Sequence, residues 1–240
     1  MSKDKNSLSQ PIGFSLESWQ PCRHPKGMGM KGRLGRLEPL GRYGHSEDLF
    51  KAYALDTDNR NWTYLPYGPF ATLTDFQSWI GDYCLGSDPC FYAVIDQQTG
   101  KAAGLASYLR IKPATGVIEV GHIHFSPLIQ GRAVSTEAMY LMMKLVFDDL
   151  GYRRYEWKCD ALNSPSRAAA KRLGFEFEGI FRQATIYKGR NRDTAWYSVL
   201  DRDWPVIKQT FEKWLSRDNF DVETRQISSL SEMMQIALTR

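Results

Sequence analysis

The sequence predicts one α/β domain with a mixed, mostly antiparallel sheet that is flanked by helices. Three observations support this fold class. Strand-like runs alternate with amphipathic helical runs, no segment repeats another, and 240 residues with 42% hydrophobic and 24% charged side chains suffice to bury one sizeable core. We expect the domain to span residues 32–216, between a flexible basic arm at 1–31 and a C-terminal tail at 217–240.

The first half of the domain combines strands at both ends with two helices between them. An alternating run predicts a strand at 32–40, and Ser46 is the predicted N-cap of the helix that follows. Residues 72–83 carry aromatic and apolar side chains at helical spacing, which predicts a second helix. Three antiparallel strands come next, at 90–96, 101–111 and 116–125.

The second half alternates helices and strands. Apolar residues at helical spacing predict the longest helix at 136–150, which Gly151 ends. Further along, the sequence predicts these elements in order: a strand at 152–162, a helix from Asn163 to Leu173, two or three short strands within 175–200 around a turn at 189–193, and an amphipathic helix at 203–215.

Charge and composition argue against several classes of protein. The net charge of +4 lies in residues 1–44, which hold eight Lys or Arg and three Asp or Glu, so the remainder of the chain is close to neutral. We therefore expect a solvated basic arm and no nucleic-acid partner. No run is apolar enough for a membrane span and the N-terminus lacks a secretory signal, which favours a cytoplasmic protein. The spacing of the four cysteines predicts neither disulfides nor a metal site.

The junction best suited to chemistry is a predicted strand, a loop of small residues and a helix start between Val117 and Thr136. Such a helix start presents unpaired backbone N–H groups and the positive end of the helix dipole. That arrangement binds phosphate, and Arg132 can add a charge-assisted contact. Many α/β loops share these features, so the residues alone leave phosphate binding as one interpretation among several.

Residues 130–143, QGRAVSTEAMYLMM, resemble the acetyl-CoA-binding motif of the GNAT N-acetyltransferases, a Gln/Arg-x-x-Gly-x-Gly/Ala run that enters a helix. Thr136 to Ala138 is similar to the Thr-Glu-Ala of the ribosomal-protein (Rim-type) branch of that superfamily. Glu119 to His122 resembles the Glu-Ile-Gly-Tyr strand of the branch. Asn163 to Ser166 and the KRLGFEFEGIFRQA run after it resemble its Asn-x-x-Ser helix and Leu-Gly-Phe-x-x-Glu-Gly strand. The order and spacing of these motifs fit over residues 32–204.

This resemblance implies two parallel strands that splay apart to admit acetyl-CoA, here the strands that end at Phe125 and near Ala161. It also implies that the cofactor contacts the strand end, the loop and two helix starts. The residues concerned are Phe125, Gln130, Gly131, Arg132, Ala133, Val134, Ser135, Thr136, Asn163 and Ser166. The chain departs from the family motif, because Ala133 stands where the family has glycine and Ser135 where it has glycine or alanine.

Direct acyl transfer to an amine needs a neutral amine, stabilisation of the oxyanion and a proton for the departing thiolate. The resemblance indicates Ser166 as the acid, with a plain helix-start serine as the alternative. The glutamate that the related branch uses as base falls on Thr185, which cannot accept a proton. Glu119, His122, Glu178 or a water molecule remain as candidate bases. Strand alternation places Glu119 on one face and His122 with His124 on the other, unless a bulge intervenes.

The aromatic loop at 62–70 and the turn at 189–193 are expected to line the acceptor side. Trp62, Tyr64 and Tyr67 either wall an amine pocket or belong to the core. Asp193 either attracts a cationic substrate or is a turn residue. An open groove between the two segments would fit a protein N-terminus, and a closed pocket would fit a small amine.

The expected function is transfer of an acetyl group from acetyl-CoA to a primary amine, which is a protein N-terminal α-amine or a small amine. A catalytically inactive GNAT-fold protein that binds acyl-CoA or a partner is the alternative, because of Ala133, Ser135 and Thr185. An RNA-binding module directed by the basic arm is a third possibility. We expect no membrane partner and either a monomer or a homodimer.

Overall fold

The chain folds around one eight-stranded sheet, in a computed structural model that describes residues 4–223 and 225–239. The strands are β1 (Met30–Lys31), β2 (Gly35–Pro39), β3 (Cys90–Asp96), β4 (Ala102–Lys112), β5 (Val117–Phe125), β6 (Arg154–Asp160), β7 (Glu176–Tyr187) and β8 (Arg190–Leu200). Their order in the sheet is β1-β2-β3-β4-β5-β6-β8-β7. Only the β5–β6 pair is parallel among these strands, so the predicted mixed and mostly antiparallel sheet is confirmed.

Helices cover both faces of the sheet. They are α1 (Ser46–Tyr53), α2 (Leu73–Trp79), α3 (Ala133–Lys144), α4 (Ser164–Arg172), α5 (Trp204–Leu215) and α6 (Leu230–Leu238), and π-helical segments at Ile80–Cys84 and Leu145–Asp149 extend α2 and α3. The larger core lies between the sheet and α3 to α6, and a smaller, aromatic-rich core lies beneath α1 and α2. Within the part of the chain that the structure describes, no helix is both long and apolar enough to cross a membrane.

Two helix starts differ from the sequence prediction. The N-cap of α1 is His45, and Ser46 is the first helical residue, whose buried hydroxyl accepts a hydrogen bond from Gln77 Nε2 at 2.9 Å. The helix predicted at 136–150 begins three residues earlier, at Ala133. The earlier start moves the unpaired amides of α3 into the loop that the motif singled out.

The β7–β8 hairpin is longer and simpler than the sequence predicted. Lys188 and Gly189 form its two-residue turn with φ values of 48° and 71°, and Tyr187 pairs with Arg190 on either side. Two consecutive positive φ values match the right-handed twist of a hairpin. Two long strands therefore replace the two or three short ones, and Asp193 lies within β8 instead of in a turn.

Both ends of the chain pack on the domain. Trp19 Nε1 donates to Ala114 O at 2.8 Å, Arg23 Nη2 donates to Asp149 O at 2.9 Å, and Tyr92 OH donates to Pro25 O at 2.6 Å. At the other end, Leu230 and Met234 of α6 are buried in the larger core. The arm contacts the β4–β5 turn and the C-terminal end of α3, away from the loop before α3.

Candidate active site

The parallel strands β5 and β6 separate part-way along their length. They pair from Val117 opposite Arg154 to Val120 opposite Trp157, and then continue unpaired to Phe125 and Asp160. This is the opening that the family resemblance implied. It leaves the backbone of the last residues of β5 facing a gap, with α3 and α4 on one side of the sheet and the aromatic loop on the other.

A bulge at His122 changes the faces of β5. His122 has a φ of 50°, and the pairing with β4 jumps from Gly121 opposite Ser107 to His124 opposite Leu105. Ile123 packs on the larger core, as Val120 does before the bulge. The predicted alternation is therefore wrong beyond Gly121, because an inserted residue reverses it. Glu119, His122 and His124 all point to the face that carries the aromatic loop.

His122 is a neutral imidazole in an aromatic setting. Its Nδ1 lies 3.1 Å from the Tyr67 hydroxyl, and its ring centre lies 5.0 Å from that of Phe91. Burial, with a smaller contribution from the charges of Arg110 and Arg192, lowers the pKa of His122 to about 4. At neutral pH the imidazole can accept or donate a hydrogen bond but is a weak proton acceptor.

His124 belongs to the aromatic core. Its ring stacks on Tyr53 at 4.0 Å between centres and meets the edge of Trp62 at 4.0 Å. Neither ring nitrogen has a hydrogen-bond partner among the described residues, and burial lowers the pKa of His124 to about 3. Trp62 itself is 5% exposed and packs in the aromatic core. In residues 4–223 and 225–239, no three His, Cys, Asp or Glu side chains form a group suited to a metal ion.

Glu119 lies at the centre of a buried charge network. Its side chain is 3% exposed, Arg110 Nη1 lies 2.6 Å from Oε1, and Lys158 Nζ lies 2.7 Å from Oε2. Lys158 also lies 2.7 Å from Glu156. Burial raises the pKa of Glu119, while Lys158 and Arg110 act to lower it. A carboxylate held between two cations is not free to take a proton from a substrate.

The other acidic candidate, Glu178, is equally occupied. Arg154 donates to both of its oxygens at 2.8 and 2.6 Å, and the Ser198 hydroxyl donates at 2.7 Å. These hydrogen bonds, that of Arg154 first, lower the pKa of Glu178 despite its partial burial. Thr185, at the position of the related glutamate, is exposed on β7 opposite Arg192.

The loop before α3 has the geometry of an anion site. Gly131 adopts a φ of 68° and so makes the turn, two residues before the position where the family motif has its glycine. Among the described residues, the amides of Gly131, Ala133 and Val134 donate to no acceptor. The side chains of Gln130 and Arg132 fold back onto the loop, bonding to Phe125 O at 2.8 Å and to Leu128 O at 3.0 Å. The donors that a diphosphate needs are therefore backbone amides.

Two residues of the same helix have structural roles. Thr136 is 2% exposed and its hydroxyl accepts from Arg172 Nη2 at 3.0 Å, which joins α3 to α4. Ser135 Oγ donates to Arg132 O at 2.7 Å and closes the first turn of α3. Both residues support the loop through these bonds.

Glu137 is a structural residue that the sequence reasoning did not identify. Its buried carboxylate accepts three backbone N–H bonds from the β1–β2 turn, from Arg33 at 2.9 Å and from Leu34 and Gly35 at 2.7 Å each. A Cβ at Gly32 would lie 2.5 Å from this carboxylate. The Thr-Glu-Ala motif was the available signal, since an acid inside an otherwise apolar helix implies a buried partner.

Ser166 and Asn163 lie at the start of α4, beside the point where β5 and β6 separate. Asn163 Oδ1 accepts from Ser166 N at 3.1 Å, which confirms the predicted N-cap. Ser166 Oγ accepts from Trp157 Nε1 at 3.0 Å and also lies next to Cys159. Burial raises the pKa of the Cys159 thiol, and its hydrogen bond with Ser166 offsets part of that rise. The Ser166 hydroxyl can still donate its own proton.

The aromatic loop and the β7–β8 hairpin meet across the end of β6, and we call this region the loop–hairpin junction. Lys188 Nζ donates to Trp62 O at 2.9 Å, and Tyr64 OH donates to Leu162 O at 3.3 Å. Tyr187 OH donates to Asp160 Oδ2 at 2.8 Å. The Lys188–Trp62 bond joins the two segments directly, and the other two bonds attach each of them to the end of β6 or to the residues just after it.

Asp193 does not face the junction as a free carboxylate. Its Oδ1 accepts from Gln183 N at 2.7 Å and from Asn191 Nδ2 at 3.0 Å, and these bonds lower its pKa. Gln183 sits in a β7 bulge with a φ of 50°. The carboxylate of Asp193 thus accepts a backbone N–H that the β7 bulge would otherwise leave without a partner. Most of the other charged side chains near the junction are cationic.

Comparisons with known proteins agree with this geometry. The family model described as "Acetyltransferase (GNAT) domain" matches residues 36–176, which include the splayed strands and the loop before α3. The chain belongs to the GNAT acetyltransferase family. A crystal structure of a GCN5-related N-acetyltransferase from Brucella melitensis is 48% identical, covers 92% of this chain and 100% of its own, and superposes with a TM-score of 0.89.

More distant GNAT relatives carry more specific names. "Putative ribosomal N-acetyltransferase YdaF" of Bacillus subtilis (strain 168) is 27% identical over 105 residues, which are 44% of this chain and 57% of that protein. This similarity agrees with the motif resemblance to the ribosomal branch. The Microcin C7 self immunity acetyltransferase MccE, solved with acetyl-CoA and AMP, is 23% identical, covers 70% of this chain and 93% of its own, and has a TM-score of 0.61. The last likeness concerns the fold alone.

Proposed function

We propose that this GNAT protein transfers an acetyl group from acetyl-CoA directly to a primary amine. The observation that carries the proposal is the set of unpaired amides at Gly131, Ala133 and Val134. These amides lie in the loop and helix start that come after the splayed end of β5 in the chain. An anion bound there places the rest of an extended ligand along the gap between β5 and β6. The presence of acetyl-CoA in the structure of MccE, a protein of the same fold, supports this choice of donor.

The residues around the gap supply what the transfer requires. Unpaired β5 amides near Phe125 are suited to stabilising the oxyanion that forms as the amine nitrogen attacks the thioester carbon. The C–N bond forms, the C–S bond breaks, and the thiolate takes a proton from the Ser166 hydroxyl, which Trp157 Nε1 orients at 3.0 Å. Asn163 fixes the helix turn that carries Ser166.

The attacking amine must be neutral, and its surroundings favour that state. Burial and the charges of Arg110 and Arg192 lower the pKa of His122, and they act in the same direction on an amine bound beside it. A neutral amine needs no strong base before it attacks. In this proposal His122 and Tyr67 orient the amine by hydrogen bonds, while Glu119 remains in its ion pairs. Water takes the proton that the amine loses and returns a proton to Ser166 Oγ, which restores the hydroxyl.

Calorimetry with acetyl-CoA, followed by thiol release with a panel of amines and N-terminal peptides, tests the proposal. We expect acetyl-CoA binding and thiol release with at least one class of amine. His122→Asn is the informative variant, because asparagine tolerates a positive φ and keeps the bulge. We expect it to lower kcat/KM for the amine with acetyl-CoA affinity unchanged. Absence of acetyl-CoA binding would refute the donor, and binding without thiol release for any amine would favour the inactive alternative.

A further inference from the structure

Arg192 is a cation at the mouth of the gap between β5 and β6. Its Nε donates to Thr194 Oγ1 at 3.2 Å, and its Cζ lies 5.9 Å from the ring centre of Tyr187. Thr194 pairs with Asp160, the last residue of β6, so Arg192 lies two residues beyond that end of the pairing. The charge of Arg192 acts to lower the pKa of His122 of β5 and of Cys159 of β6. Among the described residues, no carboxylate forms an ion pair with it.

Four neighbouring charged groups are already paired or engaged. Arg110 is bound to Glu119 at 2.6 Å, and Lys188 donates to Trp62 O. The two nearby acids are occupied too, since Asp160 accepts from Tyr187 OH and Leu162 N, and Asp193 accepts within the β7 bulge. Arg192 is therefore the charged group at this mouth with hydrogen-bonding capacity to spare, since a guanidinium has five N–H donors and only one is used.

The size of the acceptor follows from the loop–hairpin junction. A peptide lying across the sheet would have to pass between the aromatic loop and the hairpin, where the Lys188–Trp62 bond joins them and the Tyr64–Leu162 bond attaches the loop to the residues after β6. Aromatic rings of Tyr67, Trp79 and Tyr83 surround His122 on its other side. The aromatic surroundings of His122 thus match a small molecule with an apolar or aromatic body.

We propose that the acceptor is a small primary amine that also carries an anionic group, a carboxylate or a phosphate, which Arg192 binds. This rests on the proposed acetyl transfer and specifies its acceptor. An amine alone is repelled as a cation by Arg192, but an anionic group on the same molecule supplies the attraction that brings it in. Once bound, the amine loses its proton more readily because Arg192 remains nearby.

Matched ligands separate charge from shape. Thiol release is measured with phenylalanine against 2-phenylethylamine for the carboxylate, and with O-phosphoethanolamine against ethanolamine for the phosphate. We expect kcat/KM to be at least about tenfold higher for the anionic member of one pair, since a hydrogen bond to a charged group typically contributes that much. An N-terminal peptide in the same assay reports on the protein-acceptor alternative.

Two variants test the role of Arg192. Arg192→Gln removes the charge, and Thr185→Glu places a carboxylate directly opposite Arg192 in the β7–β8 ladder without changing the arginine. Both should abolish the preference for the anionic member of the pair. Arg202→Gln is the matched control, because Arg202 is exposed beyond the far end of β8. If Arg192→Gln does not fold, the exposed Thr185→Glu still gives the answer.

A binding measurement keeps this inference separate from the proposed function. Calorimetry with CoA present compares N-acetylphenylalanine with N-acetyl-2-phenylethylamine, which differ in the carboxylate and need no turnover. Tighter binding of the anionic product to the wild type, lost in Arg192→Gln, supports the inference even if no thiol is released. Equal binding of both products, an equal loss with both in Arg192→Gln, or faster acetylation of the peptide would overturn it while leaving acetyl transfer intact.

Discussion

Replacing Ala133 with proline would remove one anion-binding amide and little else. Ala133 is the first residue of α3, where proline is well tolerated and where its N–H has no partner among the described residues. The preceding residue, Arg132, has φ −98° and ψ 159°, which is the extended conformation that a following proline requires. The substitution therefore fits the backbone and costs no internal hydrogen bond.

The expected loss can be worked from that single donor. A hydrogen bond to a charged group contributes about 1.5–3 kcal/mol, which corresponds to about 10- to 150-fold weaker acetyl-CoA binding. Stability should be unchanged or higher by about 0.4–1 kcal/mol, because proline restricts the unfolded chain. Affinity and stability thus move in opposite directions, which a general packing defect would not produce.

Calorimetry at fixed ionic strength and thermal unfolding measure the two effects. Ala133→Gly is the matched control, since it also changes the first residue of α3 yet keeps the N–H. Acetyl-pantetheine, which lacks the diphosphate, should bind both variants equally. A folded Ala133→Pro protein that binds acetyl-CoA as tightly as Ala133→Gly would refute the assignment of the α3 start as the diphosphate site.

Three further predictions concern single side chains. Glu137→Gln loses the bond to Arg33 N and weakens two others, so we expect the free energy of unfolding to fall by about 3 kcal/mol and Tm by about 6–12 °C. The control Glu47→Gln, at an exposed position, should change the free energy of unfolding by less than about 0.5 kcal/mol. Ser166→Ala should lower kcat at least about tenfold with acetyl-CoA affinity unchanged; an unchanged kcat would rule out Ser166 as the acid. The pKa of His124 is about 3 when folded and 6.5 ordinarily, so the unfolded state binds the extra proton and stability falls as pH drops below about 6.5. Urea unfolding should show His124→Phe lacking about 2 kcal/mol of the loss between about pH 7.5 and pH 5.

Periodicity was sufficient to predict the order of the main elements. The signals that predicted these elements are local: the helical spacing of apolar residues in α2, α3 and α5, and the turn before β4. The folded structure keeps the predicted helices because each of them buries one continuous face. The N-cap at Asn163 was predictable for a similar reason, since the cap and the amide it binds are three residues apart. The hairpin turn was misplaced because Gly189 and Asp193 are both turn formers, and only pairing across β7 and β8 decides between them.

The site was less predictable because its geometry depends on partners far along the chain. The bulge at His122 arises from the pairing of β5 with β4, and the residue types in β5 do not predict it. Glu119 looked like a base until Arg110 and Lys158, which come from neighbouring strands, were found on its two oxygens. The sequence also made Asp193 a candidate for attracting a cationic substrate, because its partner, the backbone amide of Gln183, lies in another strand.

These corrections share one consequence for the chemistry. Each carboxylate proposed as a base or a cation attractor is engaged, Glu119 and Glu178 by ion pairs and Asp193 by amide hydrogen bonds. The guanidinium of Arg192, by contrast, forms no ion pair with any described carboxylate. A site with this balance cannot deprotonate an amine by offering it a strong base. It can lower the pKa of the amine by burial and positive charge, and it then needs an anionic group on the acceptor to offset the repulsion on entry. In the proposed mechanism, the threonine at position 185 and the charge of Arg192 are therefore two parts of one arrangement, in which the environment of the amine replaces a catalytic base.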